Sequence, residues 1–280
     1  MDGTLLRIVK DRIFSAGVTV LSFCMLIPLL LILAYITRNG ISAINWEFLV
    51  NLPAPVGESG GGISNALVGT VILVALASVL AVPVGIATGI FLSEYRKGRL
   101  AYAVRLCTEV LHGIPSIVIG IIAYAWVVVP MGKFSALSGG VALGIMMLPV
   151  VIRSTEETLK LIPESLREAS LALGVPYYKT ILRVILPAAL GGITTGILIS
   201  IARIAGETAP LLFTAFGSPF METSILKPLN SLPLLIFNYA TSPYQDWHNL
   251  AWGASFVLIL MVLTLNFIAK VVTARWKVKF

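Results

Sequence analysis

Six stretches of this sequence carry no charged side chain: 13–37, 59–93, 110–132, 134–152, 184–202 and 247–269. Crossing the hydrocarbon of a bilayer as a helix takes about 20 apolar residues, and each stretch is near or above that length. The runs do not alternate between apolar and polar residues, which excludes the strands of a membrane β-barrel. Only 12% of the residues are charged, against about 25% in a soluble domain. The chain therefore reads as an all-α membrane protein, one transmembrane domain over 1–280 with six transmembrane helices. Their expected bounds are 13–37, 64–93, 106–130, 137–153, 188–215 and 247–270. The first run is too long for the apolar core of a signal peptide and reads as a retained anchor.

The net charge of +7 does not imply a nucleic-acid partner, because the cations follow the spans. Arg7, Lys10 and Arg12 precede the first span, and Lys270, Arg275, Lys277 and Lys279 follow the last. Arg96, Lys97, Arg99 and Arg105 fall between the second and third, and Arg153, Lys160, Arg167, Lys179 and Arg183 between the fourth and fifth. Arg38, Lys133 and Lys227 fall on the opposite side, and Arg203 within a span. Lysine and arginine accumulate in cytoplasmic loops, so both termini and the 154–187 loop are expected in the cytoplasm. The basic 95–105 loop suits anionic headgroups. Trp247 and Trp252 are placed for an outer aromatic belt, and Trp276 for an inner one.

Within the 154–187 loop, Leu166, Ala169 and Leu173 recur at helical spacing among Glu164, Arg167 and Glu168. Gly174 and Pro176 then stop that helix. A second amphipathic run, Tyr178, Ile181, Leu182 and Ile185, leads to Pro187, after which the fifth span begins. A polar hairpin between two spans is a poor lipid-facing element and a good docking element.

Three further features carry candidate function. Pro115, flanked by Gly113 and Gly120, interrupts the third apolar stretch, and broken backbone at membrane depth is tolerated in protein or along a watery path. Ser116 could then face a pore, or the break could be a packed kink. Arg203 and Glu207 are four residues apart, and a helix entered near Ala188 carries Arg203 ~22 Å inward at 1.5 Å per residue. Charges at that depth usually face a bundle interior or water, so Arg203 and Glu207, with neighbouring Thr208, form the candidate substrate pathway. A structural ion pair is the other reading. The glycines of 57–62 lack the lysine of a phosphate-binding loop and read as a flexible surface loop. The 231–239 segment reads as a short interfacial helix. Cys24 and Cys107 give no disulfide framework. His112 has no partner at metal-ligand spacing, and no metal site or catalytic residue is expected.

Glu168-Ala169, Gly174 and Leu186-Pro187 match in spacing the EAA loop of ABC importer permeases, with Ser170 in place of the second Ala and Val184 in place of Ile. The stretches 113–120, 148–157, 206–214 and 231–239 resemble phosphate-specific ABC importer permeases, of the PstA-type rather than the PstC-type subunit. The resemblance covers about 60–275. It implies a type I ABC importer permease fold with a cytoplasmic coupling helix, in the inner membrane of a prokaryote. It further implies a non-catalytic subunit with no cofactor of its own. Its partners would be a homologous PstC-type permease, two copies of an ABC ATPase holding ATP and Mg, and an extracytoplasmic phosphate-binding protein. Glu168, Ala169 and Gly174 would couple to the ATPase. A permease for sulfate or molybdate shares the docking loop, a proton-coupled secondary transporter could use Arg203 and Glu207, and an intramembrane enzyme lacks a nucleophile–base set.

Overall fold

The computed structural model of the chain describes residues 2–58, 60–95 and 97–275. Arg96, Trp276, Lys277 and Lys279 lie outside the described residues. The order of helices is α1 (Asp2–Gly40), α2 (Trp46–Val50), α3 (Ser64–Glu94), α4 (Arg99–Gly113), α5 (Ser116–Ala123), α6 (Val129–Met131), α7 (Ala136–Lys160), α8 (Glu164–Ala172), α9 (Tyr177–Thr180), α10 (Leu186–Ile204), α11 (Ala209–Leu212), α12 (Leu232–Ala240) and α13 (Gln245–Arg275). Among the described residues five helical segments are long and apolar enough to cross a membrane, and a sixth if α4 and the 116–131 segment count as one span.

Small residues set the packing of the central helices. A Cβ on Gly85 of α3 would come within 2.7 Å of Val151 on α7, and one on Gly89 within 2.5 Å of Thr155. The pair therefore lets two backbones approach closely, the usual device where lipid offers no hydrophobic drive between helices. Around this contact Leu73, Ala77, Leu143, Met147, Val151, Ile204 and Leu211 form the main core. A second core joins Phe48, Ile63, Leu232, Leu235 and Ala254. The apolar window of α1 has no buried residue. Its C-terminal end meets α13, where Tyr35 stands edge-on to Trp252 with centroids 5.2 Å apart.

The third span differs from a single helix over 106–130. Helix α4 runs back to Arg99, and the chain bends by 107° between α4 and the 116–131 segment. Pro115 explains the break: it has no N–H to continue the ladder and disfavours helical geometry at Ile114, which is extended at ψ 131°. Two other prolines are absorbed differently. One π-turn, Tyr124–Val128, precedes Pro130, and another, Ile181–Ile185, precedes Pro187. In each, the N–H that closes the turn reaches back five residues, from Val129 to Tyr124 and from Leu186 to Ile181. Widening by one residue accommodates the missing donor without a stop. The second amphipathic run and the fifth span are consequently one continuous helical rod from Tyr177 to Ile204.

Two loop segments show packing that the sequence does not mark. The glycine segment ends packed: Gly62 N–H donates to Leu52 O and Ile63 N–H to Phe48 O, and Ile63 is fully buried. The 231–239 segment does form a helix, α12, with Ser231 as N-cap accepting from Leu234 N–H. It packs into the chain, since Leu232, Pro233, Leu234, Leu235 and Tyr239 are buried, among them part of the second core. Trp247 stacks on Tyr239 at 4.6 Å.

Candidate functional site

Helix α8 is built to end abruptly and to present its end. Leu173 N–H bonds Ala169 O; Gly174, at φ +77°, donates to Leu171 O, and Val175 N–H donates to Ser170 O. These last two bonds are the paired closure of a Schellman motif, which needs the left-handed residue that glycine supplies. Glu168 and Ala169 face solvent, and Leu173 is 84% exposed. Leu161, Tyr178 and Leu182 are exposed nearby in the chain. The opposite side of the hairpin is fixed: Ser170 is buried and its hydroxyl lies 2.9 Å from that of Thr180. The departure from alanine at position 170 thus supplies a hydrogen bond between the two arms.

A second tie joins the hairpin to the bundle. Arg167 donates to both carboxylate oxygens of Glu94, the last residue of α3, at 2.6 and 2.7 Å. The Tyr177 hydroxyl donates to the same carboxylate and accepts from Arg167 at 3.0 Å. Burial works against the Arg167 cation, but the hydrogen bonds and charge of Glu94 outweigh it and hold its pKa above the ordinary arginine value. Glu94 and Tyr177 were not singled out in the sequence. The available signal was the position of Glu94, the first charge after the longest charge-free stretch.

The pathway candidates are arranged differently from a pair on one helix face. Helix α10 ends at Ile204, so Arg203 lies in its last turn and Glu207 lies in the break before α11. The helix does not run to 215 because Pro210 has no N–H for the carbonyl of Gly206, and 205–208 are non-helical ahead of the single turn of α11. Nor is the pair buried. Arg203 Nε is 3.8 Å from Glu207 Oε1, with side chains 48% and 21% exposed. Helix termini leave backbone groups and polar side chains free for water or a ligand. Ser116 and Thr208 are both half-buried. They sit at the starts of α5 and α11, which touch where a Cβ on Gly120 would come within 2.7 Å of Pro210. Two helix breaks, at Pro115 and at Gly206–Thr208, therefore lie on contacting helices.

A second shielded carboxylate is that of Glu156 on α7. It accepts from Arg105 at 2.9 Å and from Lys160 at 2.5 Å. Arg105 also donates to Leu92 O, which fastens α4 to the end of α3. This cluster ties three helices. Cys24 and Cys107 are exposed free thiols. Among the described residues no group of three or more His, Cys, Asp or Glu could hold a metal ion.

An all-helical membrane domain with a short amphipathic hairpin between its last two long apolar rods before α13 has the fold of type I ABC importer permeases. The chain belongs to the binding-protein-dependent transport system inner membrane components, whose family pattern matches residues 81–277. It is 44% identical to the phosphate transport system permease protein PstA of Yersinia pestis over 89% of this chain and 85% of that protein. It is 38% identical to PstA 1 of Mycobacterium tuberculosis strain H37Rv over 96% of this chain and 89% of that protein. A probable PstA of Methanocaldococcus jannaschii is 36% identical over 93% and 92% of the two chains. In fold, a chain of the MetNI methionine ABC transporter in an inward-facing conformation superposes with a TM-score of 0.62 at 20% identity, over 78% of this chain and 95% of that one.

Proposed function

We propose that the chain is the transmembrane permease subunit of an ATP-driven inorganic phosphate importer. It forms half of the translocation pathway and docks an ABC ATPase through Glu168, Ala169 and Gly174. The observation that carries the reading is the α8 hairpin: an exposed, glycine-closed end on a base tied to the bundle by charge. Identity of 36–44% to PstA permeases supports phosphate as the substrate. The partners in this reading are a PstC-type permease, two ATPase copies holding ATP and Mg, and an extracytoplasmic phosphate-binding protein. The lysine and arginine distribution supports cytoplasmic termini and a cytoplasmic hairpin in the inner membrane.

Transport follows alternating access. ATP draws the ATPase copies together, α8 moves with them, and the helices open outward to take phosphate from the binding protein. Hydrolysis and release restore the inward-facing state. Arg203 supplies positive potential along the path through a planar fork of donors that stays ionised. Glu207 keeps that fork from holding the anion too tightly, and Ser116 and Thr208 offer hydroxyls at the two helix breaks.

Uptake of labelled phosphate tests this reading in cells whose only phosphate importer contains this chain. A tenfold excess of sulfate or molybdate should leave uptake unchanged, and unlabelled phosphate should abolish it. Competition by sulfate or molybdate as strong as by phosphate contradicts the substrate. In the same cells an impermeant thiol reagent should label a cysteine placed at Thr241 and spare one at Ser165; the reverse pattern inverts the orientation.

A further inference from the structure

The Glu94 carboxylate gathers three separate elements at one shielded point. Its side chain is 5% exposed, that of Arg167 is 16% exposed, and the two meet through a bidentate pair with Tyr177 as a third member. Arg167 lies on α8, Tyr177 at the start of α9, and Glu94 at the cytoplasmic end of α3. Sequence connects the hairpin directly to α7 and α10 alone. The carboxylate adds α3, 73 residues away from Arg167 and 83 from Tyr177. It binds both arms of the hairpin at one point. Helix α3 is in turn pressed along α7 at Gly85 and Gly89, so whatever turns its end turns a central helix of the bundle.

We infer that Glu94 is a positioning residue for energy coupling: through its charge pair with Arg167 and its hydrogen bond to Tyr177, it transmits the displacement of the ATPase-docking hairpin to α3. This rests on the reading that the 164–174 element docks the ATPase. A charge-assisted bidentate pair suits the role because it fixes orientation as well as distance. Shielding from water limits the screening that weakens exposed pairs. The hydrogen bond between Ser170 and Thr180 keeps the two arms moving as one body.

The test uses the full complex with its ATPase and binding protein, and reads phosphate imported per ATP hydrolysed in equal amounts of assembled complex. Glu94→Gln and Arg167→Met should each lower that ratio about tenfold, within the range of coupling between linked sites. The exchange Glu94→Arg with Arg167→Glu should restore most of it. A residue that only stabilises the fold would lower the yield of complex and leave the ratio of the surviving complex unchanged. An unchanged ratio in Glu94→Gln overturns the inference, as does a charge exchange that assembles no better-coupled complex than the single variants. Tyr177→Phe removes one arm of the tie with little change in volume and should lower the ratio by a smaller factor, giving a readout if the charge variants fail to assemble; an unchanged ratio there overturns the inference as well. Cross-linking of a cysteine at Leu173 to the ATPase, in an otherwise unaltered chain, reports docking separately. If that cross-link does not form, the docking reading fails; if it forms in every variant while the ratio falls, the fault lies at Glu94.

Discussion

Gly174→Asp should leave a chain that inserts and assembles but scarcely transports. The position has φ +77°, and a Cβ built there meets nothing within 4 Å. Steric exclusion is therefore not the cause of the defect. Left-handed backbone costs an ordinary residue about 1–2 kcal/mol, and aspartate and asparagine visit it more readily than most. The larger effect is the carboxylate placed beside the exposed Leu173 at the docking end. Leaving a charge unpaired in an interface costs about 2–5 kcal/mol, a loss of roughly thirtyfold or more in the docked state. Gly174→Asn separates the two effects, since it keeps the backbone preference without the charge, and should retain most transport. ATP hydrolysis stimulated by the binding protein, measured beside phosphate uptake, checks the expectation. Equal loss in the Asp and Asn variants would assign the defect to the backbone, and normal uptake by Gly174→Asp would remove the docking role.

The second large effect concerns Arg203 and Glu207. Changing Arg203→Met together with Glu207→Leu removes both charges and leaves neither unpaired. A structural ion pair can be replaced by apolar residues of similar size with little loss. Here the pair is loose, at 3.8 Å, and Arg203 is nearly half exposed within the chain, so its removal should cost the fold little. If Arg203 meets the anion, the double variant should assemble normally and lose phosphate uptake about 10- to 100-fold, the effect of deleting a hydrogen bond to a charged group. Arg203→Lys with Glu207 intact should fall between, because it keeps the charge and loses the fork. Uptake within twofold of the unaltered chain would take Arg203 out of the pathway.

These two sites show where reading the sequence works and where it stops. The stop of the α8 element at Gly174 was legible, because glycine, proline and helical spacing are local signals that act through the backbone. The spacing of Gly85 and Gly89 permits close packing, but nothing in it marks α7 as the partner. The end of α10 was not legible: apolar residues continue on both sides of Arg203 and Glu207 as far as Ala215, and nothing in their periodicity marks a stop at Ile204. The break arises where Gly206 and Pro210 combine, and it moves Glu207 off the helix that carries Arg203. Long-range charge pairing was the other blind spot. Arg167 and Glu94 were each visible as charged residues, but 73 positions separate them. Only the fold brings the end of α3 against α8. Proline was visible in every case, yet its outcome depended on context: a 107° bend at Pro115, and a widened turn before Pro130 and Pro187.

The most direct test of the account is to rebuild the transporter from this chain, its partner permease, ATPase and phosphate-binding protein in sealed liposomes. Phosphate accumulation is then followed with ATP and Mg on the face that carries the α8 hairpin. The account predicts accumulation that requires ATP and the binding protein, persists when ionophores collapse the proton gradient, and stops when the ATPase is omitted. Accumulation without ATP that follows an imposed proton gradient would contradict it.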